Sequence, residues 1–227
     1  MINQMSEKDR NTRRLVIGVG GAGLDAVNYM VECGNVPARS ISVDFARYRL
    51  AECKADMCLS IGEGMLIGLD GENPRIAEIA AQRAEEEIRS VIHGAELVLV
   101  ACGLGGWIGN GAAPFIVQAA HKEGIPTAAV VSMPFEFEGR RRNDRALTGH
   151  SRLCEAADAV ITVSNDAVLK QMDPKASLPE VLKESDEVIC RIIQRFLERL
   201  PADTVSAEDV KKAAMTIRDE YRDCIVP

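Results

Sequence analysis

Two stretches of the sequence have the composition and spacing to do chemistry. They are Gly18-Val-Gly-Gly-Ala-Gly23 and Gly103-Leu-Gly-Gly-Trp-Ile-Gly-Asn-Gly-Ala-Ala-Pro114. Glycine turns that run into a helix let backbone N–H groups close on an anion, and the helix dipole favours negative charge there. The first is a Gly-x-Gly-x-x-Gly fingerprint, and Asp44 follows at about the separation at which a carboxylate takes a ribose hydroxyl. Alone, it fits an NAD-type dinucleotide site or a plain tight strand-to-helix turn. The second loop shifts that balance, because a dinucleotide site needs only one such cradle. Two cradles at the carboxyl edge of one sheet suit a polyphosphate gripped from both sides. The second loop also carries an indole and a branched aliphatic side chain, Trp107 and Ile108, in its middle.

These loops need a scaffold, and the sequence supplies one. Short apolar runs at 15–19, 40–43, 57–61, 96–101, 127–131 and 159–163 read as strands. Helical stretches alternate with them at 24–32, 74–93, up to 122, and 145–157. Asn73-Pro74 is a clean helix start, with Asn as cap and Pro in the first turn, and Gly94 is a stop. Continuous apolar strands alternating with helices predict an α/β fold. The sheet is expected to be doubly wound, mainly parallel and Rossmann-like, with about six strands covered on both faces. A long helix at 178–200 follows, apolar in its second half from Val188 to Leu200. Glu180, Glu184, Asp186 and Glu187 lie in its first half. Those acids either present carboxylates to a ligand or simply follow the dipole.

The whole chain has 227 residues, 47% of them hydrophobic, and a net charge of −7. This composition suits a soluble globular domain and disfavours a general polyanion binder, so no nucleic-acid partner is expected. No apolar run approaches a membrane span, and direct membrane insertion is not expected. The polar start, with Arg10, Arg13 and Arg14, reads as a flexible arm over 1–13. Seven cysteines without a Cys-x-x-Cys read as buried reduced thiols of a cytoplasmic protein. Three scattered histidines nominate no metal site. Ser206-x-x-Asp209 is a capping-box-like start for a last helix ending near Tyr221. Its apolar stripe of Val210, Ala213, Ala214 and Ile217 folds back on the core or meets a partner.

Further motifs accompany the glycine loops: Gly71-Glu-Asn-Pro74, Pro134-Phe-Glu-Phe-Glu-Gly139 and Ile161-Thr-Val-Ser-Asn-Asp166. With these in order, residues 15–200 resemble FtsZ, the tubulin-like cell-division GTPase, in its N-terminal nucleotide-binding domain. The resemblance implies roles residue by residue. Gly20, Gly21 and Ala22 would contact phosphates and base, with Gly23 matching a family glycine and Asp25 in place of an asparagine. Gly103, Gly105, Gly106, Trp107, Ile108 and Gly109 would wrap the phosphates. There Trp107 replaces a glycine, and Ile108 and Asn110 replace threonines that serve phosphate or magnesium. A positive φ at 107 would strain a tryptophan. Glu138 would meet the ribose, Arg142 the ribose and phosphates, and Asn165 the sugar or base. Leu182 stands where an aromatic stacks on the base. Asp186-Glu187 replaces Asn-Asp, with Glu187 accepting from guanine N1 and N2.

Other positions depart from the family. Asp44-Phe45-Ala46 replaces the Asn-Thr-Asp that places magnesium and the terminal phosphate. The loop at 69–73 is about one residue shorter. The acidic loop that completes the neighbouring subunit's site falls near 201–209. Asp209 aligns with one catalytic acid and Asp203 and Glu208 lie nearby, but the family's Asn-Val-Asp core is missing. Hydrolysis needs a carboxylate in place, not merely close. The expected organisation is an arm over 1–13, an FtsZ-like domain over 14–200, and an acidic loop with a helix over 201–227. The family's C-terminal domain has no counterpart, so ordinary filaments are not expected. The resemblance implies a cytoplasmic, cell-division-related cytoskeletal protein that binds GTP or GDP, with Mg2+ as the accompanying ion. Hydrolysis is expected to be weak or absent. Action would be through nucleotide-linked self-association or an FtsZ-family partner. Two alternatives stay open: a pseudo-enzyme interaction module with a closed pocket, and the NAD-type Rossmann domain.

Overall fold

The computed structural model describes residues 13–34, 36–63, 65 and 73–226. The expected arm up to residue 12, the loop at 69–72 and Gly71 of the third motif lie outside the described residues. Six strands form one sheet among the described residues: β1 (Arg14–Val19), β2 (Arg39–Asp44), β3 (Met57–Ser60), β4 (Leu97–Gly103), β5 (Thr127–Met133) and β6 (Ala159–Ser164). Their order is β3-β2-β1-β4-β5-β6, and each pairing is parallel. The doubly wound α/β expectation therefore holds.

Alternation along the strands sends side chains to two cores. Leu15, Ile17, Val19, Val98 and Val100 enter one cluster, and Val16, Leu97, Leu99 and Ala101 enter the other. The first cluster is covered by α3 (Pro74–Arg83), α4 (Glu85–Ile92), α5 (Trp107–Lys122) and α6 (Arg140–Ala156). The second is covered by α1 (Gly20–Cys33), α8 (Leu178–Glu198) and α9 (Ala207–Glu220). Along α8, Val188, Ile189, Ile192, Ile193, Phe196 and Leu197 are all buried, so the long apolar stripe serves the core.

Several boundaries differ from the sequence expectation. Helix α1 starts at Gly20 rather than 24, so the glycine turn is itself the first helical turn. Gly20 has φ +71°, which lets the chain turn directly off β1. The helix expected over 74–93 is two helices broken at Ala84 (φ −92°, ψ 20°). No glycine or proline marks that break. At its start Asn73 caps as expected, its Oδ1 accepting from the Arg75 N–H at 2.9 Å. Helix α6 begins at Arg140 rather than 145, because a 3-10 turn at Glu136–Glu138 and Gly139 at φ +95° redirect the chain early. Two short helices, α2 (Arg47–Leu50) and α7 (Asn165–Gln171), were not foreseen.

Arg13 and Arg14 are not part of a solvated arm. Arg13 pairs with Glu96 at 2.8 Å. Arg14 is buried at the start of β1 and donates to the Pro201 carbonyl. That contact places Pro201 at the amino edge of the sheet, opposite the glycine loops. The thiol expectation also needs correction. Cys53 and Cys58 form a disulfide, and Cys33 and Cys154 are exposed, while Cys102 and Cys190 are buried. The turn between α2 and β3 folds back and brings the bridged pair together, which linear spacing does not reveal.

Ser206 and Asp209 form the foreseen capping box, with Asp209 Oδ2 accepting from the Ser206 N–H at 3.0 Å. Val210, Ala213, Ala214 and Ile217 are buried. The α9 stripe thus folds on its own core. Beyond it, residues 224–226 run antiparallel along β6, through Ser164 N–H to Cys224 O and Val226 N–H to Thr162 O, both at 2.8 Å. Among the described residues no helix is long and apolar enough to cross a membrane.

Candidate functional site

The strand order reverses between β1 and β4, with β2 and β3 added on one side and β5 and β6 on the other, and a crevice opens beyond the carboxyl ends of these two parallel strands. Ligands of doubly wound sheets bind at such a switch point. Both glycine loops sit there. A Cβ on Gly20 would lie 3.2 Å from Ile108 Cβ, and one on Gly103 would lie 2.8 Å from Ala22 Cβ, so the loops touch. The first turns of α1 and α5 therefore converge, each with backbone N–H groups that have no intrahelical partner.

The glycines divide by task. Gly105 holds φ +85° and passes under Arg142, whose Cγ would lie 2.8 Å from a Cβ there. Gly106 opens to free space, and Gly21 faces the guanidinium of Arg49. Gly23 and Gly109 instead pack on the backbone of Ala101 and Gly103, which holds the helices close to the sheet. Trp107 opens α5 with ordinary helical backbone, and Gly106 before it has φ −77°. The expected strain at 107 is absent, because the turn's positive φ falls on Gly105.

Trp107 turns toward Phe45, with ring centroids 5.0 Å apart and planes at 56°. Phe45 follows β2 and Trp107 follows β4, so the pair bridges over the end of β1. Ile108 is buried against Gly20. The side of the cleft where the resemblance sets threonines and an aspartate is thus apolar. Asn110, at the second replaced threonine, is buried. Its Oδ1 accepts from the Gly105 N–H at 2.9 Å, and its Nδ2 donates to Arg145 O. It pins the second loop to α6, a structural task that its polar side chain in a glycine run could have signalled.

The other side is polar. Glu138 accepts from the Phe135 N–H at 2.9 Å and pairs with Arg142 at 2.9 Å. This holds Arg142 across Gly105. Asn165, the first residue of α7, is buried and its Oδ1 has no partner. From α8, Glu180 caps with Ser177, and Glu184 pairs with Arg191 at 2.7 Å. Glu187 has Lys183 and Arg191 each at 4.0 Å. Both Asp186 and Glu187 approach α1: Glu187 lies against Tyr29, and burial and then the charge of Asp25 push the Asp186 pKa up to about 7. Asp25 is itself raised, by burial first, with Arg49 opposing. Leu182 is exposed on the same stretch of α8.

Asp44, on which a dinucleotide reading rests, is fully buried. Its Oδ1 accepts from the Ala46 N–H at 2.8 Å, and Oδ2 has no partner. A ribose hydroxyl has no access to it. Asp209 lies far from this cleft, at the Pro201 end. There it lines a cavity of about 400 Å³ with Arg199, Pro201, Lys212, Ala213 and Thr216. Hydrogen bonds from Ser206 lower its pKa.

A doubly wound sheet with two glycine cradles at its switch point, a Pro-Phe-x-Phe-Glu-Gly turn and a long helix behind them defines one class of protein. The model of the Tubulin/FtsZ family, GTPase domain, matches residues 13–173. The chain belongs to that family. It is 41% identical over 184 residues to cell division protein FtsZ 1 of Pyrococcus horikoshii, covering 81% of this chain and 49% of that protein. The FtsZ 1 of Pyrococcus abyssi is 41% identical over 187 residues, covering 82% and 50%. An empty FtsZ dimer of M. jannaschii superposes with a TM-score of 0.79 at 30% identity, over 89% of this chain and 57% of that one. The chain spans about half the length of the curated relatives it matches.

Proposed function

We propose that this chain binds a guanine nucleotide, holds GDP in preference to GTP, and hydrolyses GTP slowly or not at all. The observation that carries the reading is the contrast across one cleft. Two helix N-termini converge beside the Glu138–Arg142 pair on its polar side, and the Phe45–Trp107 pair fills the other. The Gly21 and Gly106 amides suit phosphate oxygens. Asn165 and Glu138 suit the sugar, and Arg142 suits the sugar and phosphates. Asp186 and Glu187 are the acids available to a guanine edge. The bound nucleotide supplies the phosphoanhydride that a hydrolase of this family would cleave.

The donor set does not suit a magnesium ion. Asp44 is buried, Ala46 and Ile108 offer no side-chain oxygen, and Asn110 is committed to Gly105 and Arg145. No step is therefore assigned to a metal. Asp209 is bound into its cap, which supports slow hydrolysis even where a second copy brings its amino edge to this cleft. Head-to-tail self-association remains part of the proposal, supported by the cleft and the Asp209 cavity lying at opposite edges of one sheet.

Calorimetry and thermal-shift titration with GDP and GTP test the reading. Saturable binding and a raised Tm are expected, and silence with both nucleotides would sink it. The closed-pocket module is the competing reading, favoured by Ile108 packed on Gly20 and by Arg49 lying on Gly21. Guanine nucleotide copurifying with the protein would eliminate it.

A further inference from the structure

Arg49 has no part in the nucleotide reading above, yet it lies on the first glycine loop of the cleft. It lies on α2, the four-residue helix after β2. A Cβ on Gly21 would lie 2.3 Å from its Nη1 and 3.4 Å from its Cζ. The guanidinium therefore rests on the first glycine turn, at the N-terminus of α1. Helix α2 is held in place: Arg47 pairs with Glu63, and the Cys53–Cys58 disulfide closes the turn that follows. The charges of two carboxylates reach the guanidinium without an ion pair to either, Asp44 at the end of β2 and Asp25 one turn into α1. Hydrogen bonding to Tyr48, and then the charges of Asp44 and Asp25, hold its proton against the cost of burial. A cation at a helix N-terminus opposes the dipole, so this placement needs anions nearby. The side chain is exposed, and among the described residues no ion pair holds its guanidinium away from a docked anion.

The phosphates of a nucleotide need positive charge beyond backbone amides, and the donors for a divalent cation are missing here. Arginine presents a fork of N–H donors that matches phosphate oxygens two at a time and never loses its charge. We propose that Arg49 takes the place of the divalent cation in this site. Its guanidinium, seated on Gly21, neutralises the phosphates of the bound guanine nucleotide, so binding needs no magnesium. The proposal rests on the guanine-nucleotide reading above. It names a new determinant within that site.

The test is calorimetry on the full chain with GDP and GMP, in magnesium and in EDTA, for the wild type, Arg49→Gln and Arg49→Lys. Chelation should change the wild-type Kd for GDP by less than about twofold. Arg49→Gln should weaken GDP by ~10- to 100-fold, as expected for a lost charge-assisted bond. GMP should be weakened less, and Arg49→Lys should recover part of the loss. Unchanged Tm in the glutamine variant excludes a folding defect, and an equal loss for GMP and GDP marks a merely structural role and overturns the proposal. Wild-type GDP binding that collapses in EDTA, or Arg49→Gln binding GDP as tightly as wild type, overturns it too and leaves the nucleotide reading standing. A wild type that binds no guanine nucleotide overturns both.

Discussion

On one side of the cleft, Glu138 and Arg142 lock together across Gly105, and Asn165 is buried at the start of α7 with its Oδ1 unpartnered. On the other side, Phe45 meets Trp107, and Ile108 covers Gly20. Both sides hang from the same parallel strands and the same two glycine turns. Their difference therefore does not come from the fold, which is held by buried apolar strands wherever the cleft residues change. It comes from four side chains beyond the strand ends, Phe45, Ala46, Trp107 and Ile108, where the resemblance sets polar groups or, at 107, a glycine. Binding of a sugar and a diphosphate is retained in this account, and the chemistry at the third phosphate is given up.

The comparison breaks most completely if the polar side is removed. In Gly105→Val, a side chain would be forced onto φ +85° and against Arg142 Cγ and its carbonyl. The left-handed region costs a non-glycine residue roughly 1–2 kcal/mol, and loop displacement adds to that. GDP affinity in titration calorimetry should fall by about 50-fold or more, since 1.4 kcal/mol is tenfold and several phosphate contacts move together. The fold should survive by circular dichroism.

The opposite change sharpens the contrast. Phe45→Thr with Trp107→Gly empties the apolar side. Competition binding should then show GTP gaining on GDP by roughly 10-fold, about the worth of one charge-assisted contact. The ring pair's own contribution of about 0.5–1.5 kcal/mol, plus the lost burial, should appear as a lower Tm.

A smaller effect isolates Asp186. Its folded pKa of about 7 lies above the unfolded value of 3.8. The folded state thus holds the proton more tightly, and this contribution to stability is present below the unfolded value. It is lost as pH rises through about 7. Asp186→Asn should remove that slope. The variant's Tm at pH 8 should exceed wild type by about 2–6 °C, the shift a 1–2 kcal/mol gain gives a chain of this size. At pH 4 the difference should nearly vanish. Equal slopes in both proteins would show that neither the burial of Asp186 nor the nearby charge of Asp25 raises its pKa in the folded chain.

Much of the framework was legible before any coordinates. The strands are continuous apolar runs because both faces of a parallel sheet are buried, and Ser206-x-x-Asp209 announced its own cap. The helix break at Ala84 was not legible, since nothing in its residue type prevents continuation. The Phe45 and Trp107 departures were each visible, but their contact was not. It depends on β2, β1 and β4 lying side by side, which places two residues 62 positions apart in one ring pair. Arg49 was passed over for the same reason: only the pairing of β2 with β1 brings the following helix onto Gly21. Among the α8 acids, the sequence favoured Glu187 for the guanine edge. Packing of α8 on α1 sets Asp186 within reach of the Asp25 charge and Glu187 against Tyr29, with Lys183 and Arg191 near Glu187.

The most direct measurement is the ratio of the GDP and GTP dissociation constants for the unmodified chain, taken by calorimetry in EDTA and again in magnesium. The account predicts GDP tighter by about fivefold or more, roughly 1 kcal/mol, with magnesium changing neither value appreciably. GTP binding as tightly as GDP, or tightening tenfold with magnesium, would show that the Phe45–Trp107 side still admits a metal and a third phosphate, and would contradict it.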